Sequence, residues 1–574
     1  MERVLIGKTS PAHRDGSPIA LIGAADPTLQ DFSKIQDYVR VGRVPWRRNS
    51  TGQQVWLVNE KIDDQECIYG SNVLPSDVVL YLPEKAFQAH LYRRFENEIT
   101  QSAIYGLAEK RPQESAHRLL SMGQVWLLVA IITCAGALLW RWPIATLAGV
   151  NIVTTLYFIS EIFFRAYLLV LGRKDRVGAT PTPIMAAWEL PVITILLPLY
   201  HDAAALPSLA QAIDRLDYPA AKKDVKLLLE EDDPETIAEA RRLGLHQRYE
   251  LIIVPTAQPR TKPKACNYGL HLARGDLIVI YDAEDLPERD QLRKAAAAFY
   301  RADPRLACVQ ARLNYYNSDD NWLTRLFTLE YSLWFDWWLP ALARLKVPIP
   351  LGGTSNFFRT QILAYIGGWD PYNVTEDADL GLRLSRLGYR VEVIDSTTFE
   401  EANCRTNNWL RQRSRWMKGY LQTWLVHMRR PDQIIASTGW TGFFAVQLFV
   451  AGNLFSALIN PIMWSLCIFW LFADPPIVEM LFPGPILQLN LFALVFGNLF
   501  FILMMVFAPM KRGWLKLSLF GFTAPVYWLL TSLAAYKALW QAFTRLHYWE
   551  KTDHIISAAA REKRDVALNE HFEQ

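Results

Sequence analysis

The chain has 574 residues, which is enough for two or three domains together with membrane segments. Hydrophobic residues make up 51% of the sequence and 21 residues are Trp, a composition that is rare in purely soluble proteins. The formal net charge of +3 is nearly balanced and gives no electrostatic support for a nucleic-acid partner. The six cysteines have no CxxC spacing, which argues against a disulfide framework or a zinc site and favours a reducing compartment.

The N-terminal part of the chain divides into a polar and an apolar segment. Residues 1–118 are polar with short apolar runs, which predicts a small α/β domain. Apolar runs then predict two transmembrane helices within residues 124–172, because one crossing needs roughly 20 apolar residues. The turn between these helices carries only Arg141, whereas residues 172–176 are basic. The positive-inside bias therefore puts the N-terminus and the segment after residue 172 in the cytoplasm.

Two ionisable residues, Glu161 and Arg165, stand one turn apart in the second predicted span. Charged side chains inside a membrane usually face a bundle interior or an aqueous path. The pair either lines a route for a polymer or is a neutral pair that reaches the nearby cytoplasmic surface. The sequence supports both interpretations equally.

Residues 190–430 alternate short β-rich runs with helical stretches. This alternation predicts right-handed crossovers and a parallel sheet. Ligands bind beyond the carboxyl ends of the strands in such sheets. Polar or acidic residues follow three predicted strand ends, at residues 200–202, 230–233 and 282–285. We therefore predict one site that is assembled from several loops.

Residues 441–543 again have a membrane-like composition. The tail, residues 544–574, contains the basic run Arg561-Glu-Lys-Arg564 and is predicted to be cytoplasmic, which requires an even number of crossings after the α/β domain. Four crossings are our prediction. The basic residues in the turn at 511–516 favour the alternative of two crossings plus a re-entrant segment.

Three motifs follow one another in the polar region between the spans: Asp282-Ala-Glu-Asp285, Thr375-Glu-Asp377 and Gln412-Arg-Ser-Arg-Trp416. The ordered set resembles that of the processive family-2 glycosyltransferases, the class that includes bacterial cellulose, chitin and hyaluronan synthases. The resemblance covers residues 191–430 and continues into the flanking spans. It implies a GT-A-like, sugar-nucleotide-binding α/β domain inserted in an α-helical transmembrane bundle, with the small N-terminal α/β domain in front.

Further motifs refine this resemblance. Gly368-Trp-Asp370, Lys418-Gly-Tyr420 and Tyr548-Trp-Glu-Lys-Thr552 are similar to a bacterial exopolysaccharide or biofilm subgroup. Ala24-Ala-Asp-Pro27 resembles the N-terminal domain that type II secretion ATPases share with some membrane glycosyltransferases. Because that domain can bind cyclic di-GMP in such relatives, the resemblance makes this nucleotide or a protein a candidate activator. The ligand motif of that domain is not found in the sequence, so a docking or folding role is the favoured interpretation.

The acidic loop after the last predicted parallel strand is the candidate metal site. A sugar nucleotide carries a diphosphate whose charge a hard divalent cation such as Mg²⁺ or Mn²⁺ takes up, and such cations prefer carboxylate oxygens. Asp282-Ala-Glu284 stands at the position of the family's Asp-x-Asp metal motif. Asp282 is therefore expected to bind metal and donor, with Glu284, Asp285 or both completing the site. A solvated acidic turn is the alternative.

Two other segments are predicted to hold the donor. The resemblance implies that the uracil and ribose bind near Glu230-Glu-Asp-Asp233, with Asp232 or Asp233 as the binding acid. Asp233 could equally be the N-cap of a helix that begins at Pro234. Lys262-Pro-Lys264 resembles the segment that holds the diphosphate, with Lys264 as the predicted ligand and a solvated lysine pair as the alternative.

The Thr375-Glu-Asp377 motif is the candidate catalytic centre. An inverting transferase needs a carboxylate that removes the proton of the attacking hydroxyl. The resemblance assigns this role of general base to Asp377, with Glu376 beside it. In the alternative interpretation Thr375 is an N-cap and the two acids only stabilise the first turn of a helix.

The acceptor is predicted to bind at the third motif. Gln412 and Arg415 are one helical turn apart and share a face, with Trp416 adjoining it. The resemblance implies that Trp416 stacks under the acceptor sugar and that Gln412 and Arg415 point towards the diphosphate. The same helix is also expected to lie on the inner leaflet. Leu351-Gly-Gly-Thr-Ser-Asn356 occupies the position of a family motif beside the acceptor, which makes Gly353 and Thr354 acceptor contacts.

The predicted function is that of a multi-pass protein of the bacterial inner membrane with a cytoplasmic catalytic domain. It would transfer hexose from a UDP-sugar to a growing glycan, processively and with inversion, and translocate the exopolysaccharide across the lipid bilayer. One alternative is a single-addition glycosyltransferase that acts on a lipid phosphate, although such enzymes usually lack the Gln412–Trp416 motif. The other alternative is a non-catalytic membrane scaffold or sensor.

Overall fold

The computed structural model describes residues 4–5, 22, 24–61, 74, 77–173, 177–178, 181, 183–473, 476–482, 484–548 and 550. Residues 551–574, which make up most of the predicted tail, lie outside the described residues, as do positions 549, 551 and 552 of one predicted motif.

The N-terminal domain is a small sheet covered by one long helix, as the sequence predicted. In the sheet β4 runs parallel to β1 and β3, while β2 pairs antiparallel with β3. The long helix α2 carries buried apolar side chains at nearly every fourth position, which form the stripe that packs on the sheet. The elements are β1 Val4–Leu5, α1 Ile35–Val41, β2 Arg43–Arg48, β3 Gln54–Asn59, β4 Val78–Leu82 and α2 Glu84–Lys110.

Two long apolar helices follow, α3 Met122–Arg141 and α4 Pro143–Gly172. Ser121 begins α3 with a capping box, in which its hydroxyl accepts a hydrogen bond from the Gln124 amide at 3.2 Å. Pro143 begins α4 at a position where no helical amide is needed. Both helices are long and apolar enough to cross a membrane, as predicted for residues 124–172.

The central domain contains an eight-stranded mixed sheet in the order β7-β6-β5-β8-β11-β10-β12-β9. Its first four strands are the parallel strands that the sequence predicted. The other half was not predicted: β11 runs antiparallel between β8 and β10, and β12 runs parallel to β10. The strands are β5 Ile193–Leu199, β6 Lys223–Glu230, β7 Glu250–Val254, β8 Leu277–Ile280, β9 Leu286–Pro287, β10 Leu306–Tyr315, β11 Asn356–Arg359 and β12 Arg390–Glu400.

Helices cover both faces of this sheet and its edge towards the membrane helices. A π-helical turn, Trp334–Trp338, joins α10 to α11. The helices are α5 Leu206–Asp214, α6 Pro234–Arg242, α7 Leu245–Arg248, α8 Lys262–His271, α9 Gln291–Arg301, α10 Trp322–Leu333, α11 Leu339–Leu345, α12 Thr360–Tyr365, α13 Glu376–Arg386 and α14 Thr406–His427.

The N-terminal domain packs on the central domain through α2. The Asn267 amide of α8 donates a hydrogen bond to the Ala103 carbonyl of α2 at 3.1 Å. Tyr92 donates to the Glu250 carboxylate at 2.5 Å, and Gln36 donates to the Leu270 carbonyl at 2.8 Å. The helix that begins with Lys262 is therefore supported from behind by the N-terminal domain.

Three further helices are long and apolar enough to cross a membrane: α15 Pro431–Ala473, α17 Pro485–Arg512 and α18 Leu515–Thr544. The short helix α16, Pro476–Leu481, lies between the first two. The sequence suggested a break at Pro461, but α15 continues through this residue. The interruption lies at Gly439, whose φ of 69° is left-handed, a conformation that glycine adopts without a steric penalty.

The last helix, α18, is in contact with the central domain near both of its ends. Near its start, Thr523 accepts a hydrogen bond from the Trp322 indole at 2.8 Å. Just after its end, the carbonyls of Leu546 and Tyr548 accept hydrogen bonds from Gln422 and Lys418 of α14 at 2.9 and 2.6 Å. Three helices after the central domain are thus long and apolar enough to cross a membrane in the described part of the chain, and the number of crossings stays a prediction.

Candidate active site

One cavity of about 1080 Å³ lies beyond the carboxyl ends of the parallel strands and extends between the membrane helices. Loops that are far apart in the sequence meet there, as expected for a sheet of this kind. Its walls include the following residues that the sequence singled out: Asp282, Glu284, Gly353, Thr354, Glu376, Asp377, Gln412, Arg415 and Trp416. The predicted residues that do not line it are Asp232, Asp233, Lys264 and Asp285.

The carboxylates of the acidic loop after β8 point in two directions. Asp282 and Glu284 line the cavity, whereas Asp285 is fully buried and turned into the protein. Asp285 accepts a hydrogen bond from the Asp282 amide at 2.7 Å and another from the Thr354 hydroxyl. Burial, followed by the charges of Asp282 and Glu284, raises the pKa of Asp285 well above its usual range. Asp285 therefore shapes the loop, and Glu284 is the second acid that faces the cavity.

The residues present fit a hard divalent cation only in part. No group of three or more His, Cys, Asp or Glu side chains in the described part of the chain forms a ready-made metal site. Asp282 and Glu284 nevertheless offer carboxylate oxygens from one loop, which is the donor type that Mg²⁺ and Mn²⁺ prefer. The remaining ligands would come from a bound diphosphate and water.

Lys262, not Lys264, reaches the cavity. The Lys262 ammonium forms an ion pair with Asp282 at 2.6 Å and donates a hydrogen bond to the Gly353 carbonyl at 2.6 Å. Burial alone would lower the pKa of Lys262, but Asp282 and the other acids of the site raise it above its usual range. Lys264 is buried and forms an ion pair with Glu230 at 2.7 Å. Residues two apart on a helix face different sides, so only one lysine of the pair can meet the donor.

The two acids predicted to hold the nucleoside have structural partners. Asp233 is the N-cap of α6: it is buried and accepts hydrogen bonds from the Thr236 amide at 3.2 Å and the His201 amide at 2.6 Å. Asp232 forms an ion pair with Arg260 at 2.6 Å. Arg260 lines the cavity and donates to the Tyr200 hydroxyl at 2.7 Å, so it links Asp232 to the site.

Asp377 lies in the first turn of α13 and is 7% exposed. One of its oxygens, Oδ1, is buried and has no hydrogen-bond partner among the described residues. Burial, then the charges of Glu376 and Asp282, raise the pKa of Asp377 well above its usual range. Thr375 stands at the N-cap position of α13 without a capping hydrogen bond from its side chain in the described structure, and Glu376 and Asp377 lie in the first turn, where the structural alternative places them.

Gly353 leaves room for a ligand beside Asp377. A Cβ atom at Gly353 would lie 3.8 Å from Asp377 Oδ2, in ordinary contact with it. Close packing fixes α13 from the other side, because a Cβ atom at Gly419 of α14 would lie 2.2 Å from the Thr375 hydroxyl. The approach of α14 to α13 therefore requires glycine at position 419 and brings the second and third motifs together.

The third motif presents its side chains to the cavity from α14. Trp416 is half-buried and packs against Tyr331 and Phe327, with ring centres 6.2 and 5.8 Å apart. The Arg413 guanidinium lies 5.0 Å from the Trp416 ring and is fixed by an ion pair with Glu330. Trp416 is thus a rigid aromatic wall of the cavity.

The other two members of this motif are polar walls of the same cavity. Gln412 accepts a hydrogen bond from the Asn403 amide at 2.8 Å. Burial lowers the pKa of Arg415, while Glu376, Asp282 and Glu284 oppose this effect. The positive charge of Arg415 therefore faces the acids that would meet a metal–diphosphate group.

Sequence reasoning missed the carboxyl groups of Glu330 and Glu400, which both line the cavity. Glu400, at the end of β12, lines the cavity, and its side chain has no hydrogen bond or ion pair within the described residues. Burial, then the charges of Asp285, Glu284 and Asp282, raise the pKa of Glu400 well above its usual range. A polar residue directly after a buried strand was the available signal, but β12 itself was not predicted.

The family comparison concerns the C-terminal half of the chain. Residues 277–550 match the family model described as "Glycosyl transferase family group 2". The matched residues include all three motifs around the cavity and the three long apolar helices α15, α17 and α18 that follow the central domain.

Curated relatives match over part of their length. The chain is 26% identical over 240 residues to "Probable glycosyltransferase YdaM" of Bacillus subtilis, covering 40% of this chain and 56% of that protein. It is 29% identical over 244 residues to a "Beta-monoglucosyldiacylglycerol synthase" of Nostoc sp., covering 41% and 50%. It is 28% identical over 224 residues to "Probable glucomannan 4-beta-mannosyltransferase 6" of Oryza sativa, covering 36% and 37%. The chain spans about half the length of the curated relatives it matches.

Among solved structures, the chain is similar to the mannosyltransferase PcManGT of Pyrobaculum calidifontis, which was solved in complex with GDP-Man and Mn²⁺. The sequence identity is 19% and the TM-score is 0.46, over 69% of this chain and 99% of that one.

Proposed function

We propose that the protein is a membrane-embedded, inverting and processive β-glycosyltransferase, and the match of residues 277–550 to the model described as "Glycosyl transferase family group 2" supports this proposal. It polymerises hexose units from a UDP-sugar into an exopolysaccharide and passes the growing glycan through the helix bundle. The observation that carries this proposal is the single cavity that is lined both by Asp282, Asp377 and Trp416 and by residues of the membrane helices. A chain that grows at Trp416 could enter the bundle without leaving the protein.

The proposed reaction uses Asp377 as the general base. Its carboxylate accepts the proton of the acceptor hydroxyl while the hydroxyl oxygen attacks the anomeric carbon of the donor. The bond between that carbon and the diphosphate oxygen breaks, and UDP leaves from the opposite face, which inverts the anomeric centre. The buried Oδ1 of Asp377, without a partner in the described part of the chain, supports this role. Glu376 lies beside Asp377 and raises its basicity.

The charge of the leaving diphosphate would be balanced by Lys262 and Arg415, which both face the acids of the site. Asp282 and Glu284 are the residues that would hold Mg²⁺ or Mn²⁺. When bound, this cation takes up negative charge on the leaving diphosphate. Three residues support the donor site indirectly. Lys264 pairs with Glu230, and Asp232 pairs with Arg260. Asp233 caps the start of α6.

The acceptor would pack on Trp416, whose ring suits the apolar face of a pyranose. Gln412 offers a polar contact beside it, and Gly353 leaves the space for a sugar next to Asp377. Thr354 contributes through the loop, since its hydroxyl donates to Asp285.

The proposed location is the bacterial inner membrane, with the central domain and the N-terminal domain in the cytoplasm. The basic residues after α4 support this orientation through the positive-inside bias. An activator, cyclic di-GMP or a protein, would act through the N-terminal domain. The contact of α2 with α8, which begins at Lys262, supports such a route to the site.

A lipid acceptor is the second candidate function. One relative is a diacylglycerol glucosyltransferase by its name, and apolar residues such as Ile468 and Leu494 also line the cavity. In that case the lipid tail, instead of a glycan, would occupy the part of the cavity between the helices. A non-catalytic scaffold is the third interpretation, and it predicts that Asp377→Asn leaves the cellular phenotype unchanged.

The experiment uses membranes that contain the full chain, a panel of radiolabelled UDP-sugars and Mg²⁺, with and without cyclic di-GMP. Label that stays at the origin of a chromatogram, and that is absent with Asp377→Asn, would establish a polymer synthase and identify its donor. Label in an organic-extractable lipid would replace this proposal by the single-addition enzyme. No transfer from any donor, with an unchanged phenotype of Asp377→Asn, would overturn both enzymatic interpretations.

A further inference from the structure

Glu400 is an acidic residue of the cavity that the proposed reaction leaves without a role. Its side chain is half-buried and forms no hydrogen bond or ion pair with the described residues. Glu330, which also lines the cavity, is held in place instead, because it accepts hydrogen bonds from Arg413 at 2.9 Å and from Tyr527 at 2.6 Å. Polar groups that are partly withdrawn from water normally have a partner, so the Glu400 carboxyl group is available to a ligand.

The sheet places Glu400 beside the acidic loop that follows β8. β12 pairs antiparallel with β9, and Phe399 lies opposite Leu286. Because Leu286 directly follows Asp285, the next residue of β12, Glu400, stands at the end of the acidic loop. The largest charge effects on the Glu400 carboxyl group come from the acids of this loop.

On its other side Glu400 adjoins the aromatic wall of the cavity. β12 pairs parallel with β10, and Glu400 lies opposite Tyr315. The centre of the Tyr315 ring is 4.4 Å from that of Tyr331, which is 6.2 Å from that of Trp416. Tyr331 and Trp416 both line the cavity. Glu400 therefore lies between the loop that would meet the diphosphate and the ring that would hold the acceptor.

The group that occupies the space between a diphosphate and an acceptor is the hexose that is being transferred. Its anomeric carbon takes part in the reaction, whereas its other hydroxyl groups need hydrogen-bond partners once water is displaced. A carboxyl group supplies such a partner in both protonation states, since it accepts when charged and both donates and accepts when neutral.

We propose that Glu400 binds a hydroxyl group of the donor hexose and thereby distinguishes the donor from analogues that lack this hydroxyl. A site that hydrogen-bonds a substrate hydroxyl rejects such analogues, because its own polar group is left without a partner. This inference rests on the proposed function, because it takes a UDP-hexose as the donor. It adds a specificity-determining residue that lies outside the three motifs. Binding of UDP alone does not involve Glu400, since UDP has no hexose.

The test uses the purified full chain in lipid nanodiscs with Mn²⁺, the UDP-hexose that the protein transfers, and analogues of this donor that each lack one hydroxyl group. Glu400→Ala removes the carboxyl group, and Glu400→Gln keeps a polar group of similar size. Glu392→Ala is the matched control, because Glu392 is the same acid on the same strand, but its side chain is 47% exposed and stands apart from the cavity lining. Rates of UDP release give kcat/KM for each variant and donor, and calorimetry gives the affinity for UDP.

Glu400→Ala should lower kcat/KM for the complete donor by about 10- to 100-fold, since a hydrogen bond to an acidic group is lost, and Glu400→Gln should lower it less. One analogue should lose a similar factor with the unsubstituted protein. Glu400→Ala should then reduce transfer from that analogue by less than about two-fold more, because both partners of one hydrogen bond are already missing. The affinity for UDP, and every value for Glu392→Ala, should stay unchanged.

Losses that multiply for every analogue would overturn the inference, because Glu400 would then contact none of the hydroxyl groups. Weaker binding of UDP, or a higher Mn²⁺ concentration for half-maximal activity, would also overturn it, because Glu400 would then belong to the metal and diphosphate site. Both outcomes leave the proposed function in place. If the unsubstituted protein releases UDP from no donor, the proposed function fails, and this inference fails with it.

Discussion

The Lys262 ammonium lies 2.6 Å from the Asp282 carboxylate and 2.6 Å from the Gly353 carbonyl oxygen. One side chain thus joins the start of α8, the acidic loop after β8 and the loop before β11. These are the three segments that would surround a diphosphate. Its neighbour Lys264, two residues further along α8, makes none of these contacts.

This relationship predicts different effects for the two lysines. Lys262→Met should lower kcat/KM for the sugar nucleotide by about 100-fold, because a charged contact to the diphosphate is lost. The free energy of unfolding of the Lys262→Met variant should change little. Lys264→Met should instead destabilise the protein by about 3 kcal/mol, because Glu230 would be left buried without its ion pair. Donor kinetics and thermal unfolding separate the two effects, and equal kinetic losses in both variants would contradict the assignment.

Asp377→Asn should reduce transfer by about 10²- to 10⁴-fold, since the amide cannot accept the proton of the acceptor hydroxyl. UDP binding, measured by calorimetry, should persist. Asp379→Asn is the control, because Asp379 is buried two residues further along α13, where it is hydrogen-bonded to His427 and forms an ion pair with Arg383. That variant should lose stability, and retained transfer in Asp377→Asn would remove Asp377 as the base.

The two acids that follow Asp282 should differ in their dependence on metal. Glu284→Gln should raise the Mn²⁺ concentration for half-maximal activity by about ten-fold, because one of the two carboxylates that the acidic loop presents to the cavity is lost. Asp285→Asn should lower the unfolding temperature, because this buried residue holds the loop through Thr354 and the Asp282 amide. A metal titration of both variants checks the assignment, and the reverse pattern would exchange the two roles.

Trp416→Ala should weaken acceptor binding and shorten products, with a loss of about 1–3 kcal/mol in acceptor affinity, since the aromatic wall of the cavity disappears. Trp409 is the matched residue, because it lies on the same helix but is fully buried against Tyr527 and Phe327. Trp409→Ala should cost about 3–5 kcal/mol of folding free energy. A Trp416→Ala variant with normal acceptor KM and normal product length would exclude a stacking role.

Asp370 predicts a pH dependence of stability. Burial, then the charge of Asp379, raise its pKa from 3.8 to about 6. A carboxyl group whose pKa is raised in the folded state contributes stability below its unfolded pKa, and loses this contribution as the pH rises through about 6. The difference of about two pKa units corresponds to about 3 kcal/mol.

The free energy of unfolding of the unsubstituted protein, minus that of Asp370→Asn, should therefore fall between about pH 4 and about pH 7. Denaturation of the detergent-solubilised protein at several pH values measures this difference. A difference that rises with pH would show that hydrogen bonds from Ala116 and Tyr372 to the charged form dominate instead.

The sequence by itself determined the features that repeat locally. Alternating apolar runs predicted the N-terminal α/β domain, the first four strands of the central sheet and the two spans before it. The resemblance of the three ordered motifs implied that Asp282, Asp377 and Trp416 share one site, and all three line the cavity. The N-cap alternative for Asp233 came from Pro234 and Glu235, which follow it, and the structure has this cap.

Only the tertiary structure decided which side chain of each motif faces the cavity. Asp285 turns inward because Thr354, 69 residues away, donates to it, and Lys264 turns inward because Glu230, 34 residues away, pairs with it. No local pattern contains such contacts. The same holds for β10 and β12, whose pairing spans 85 residues between Tyr315 and Glu400, and for the segment after α18, whose carbonyls accept hydrogen bonds from α14. The hydropathy of a segment indicates that the segment is excluded from water. Its packing partners decide whether protein or lipid covers it.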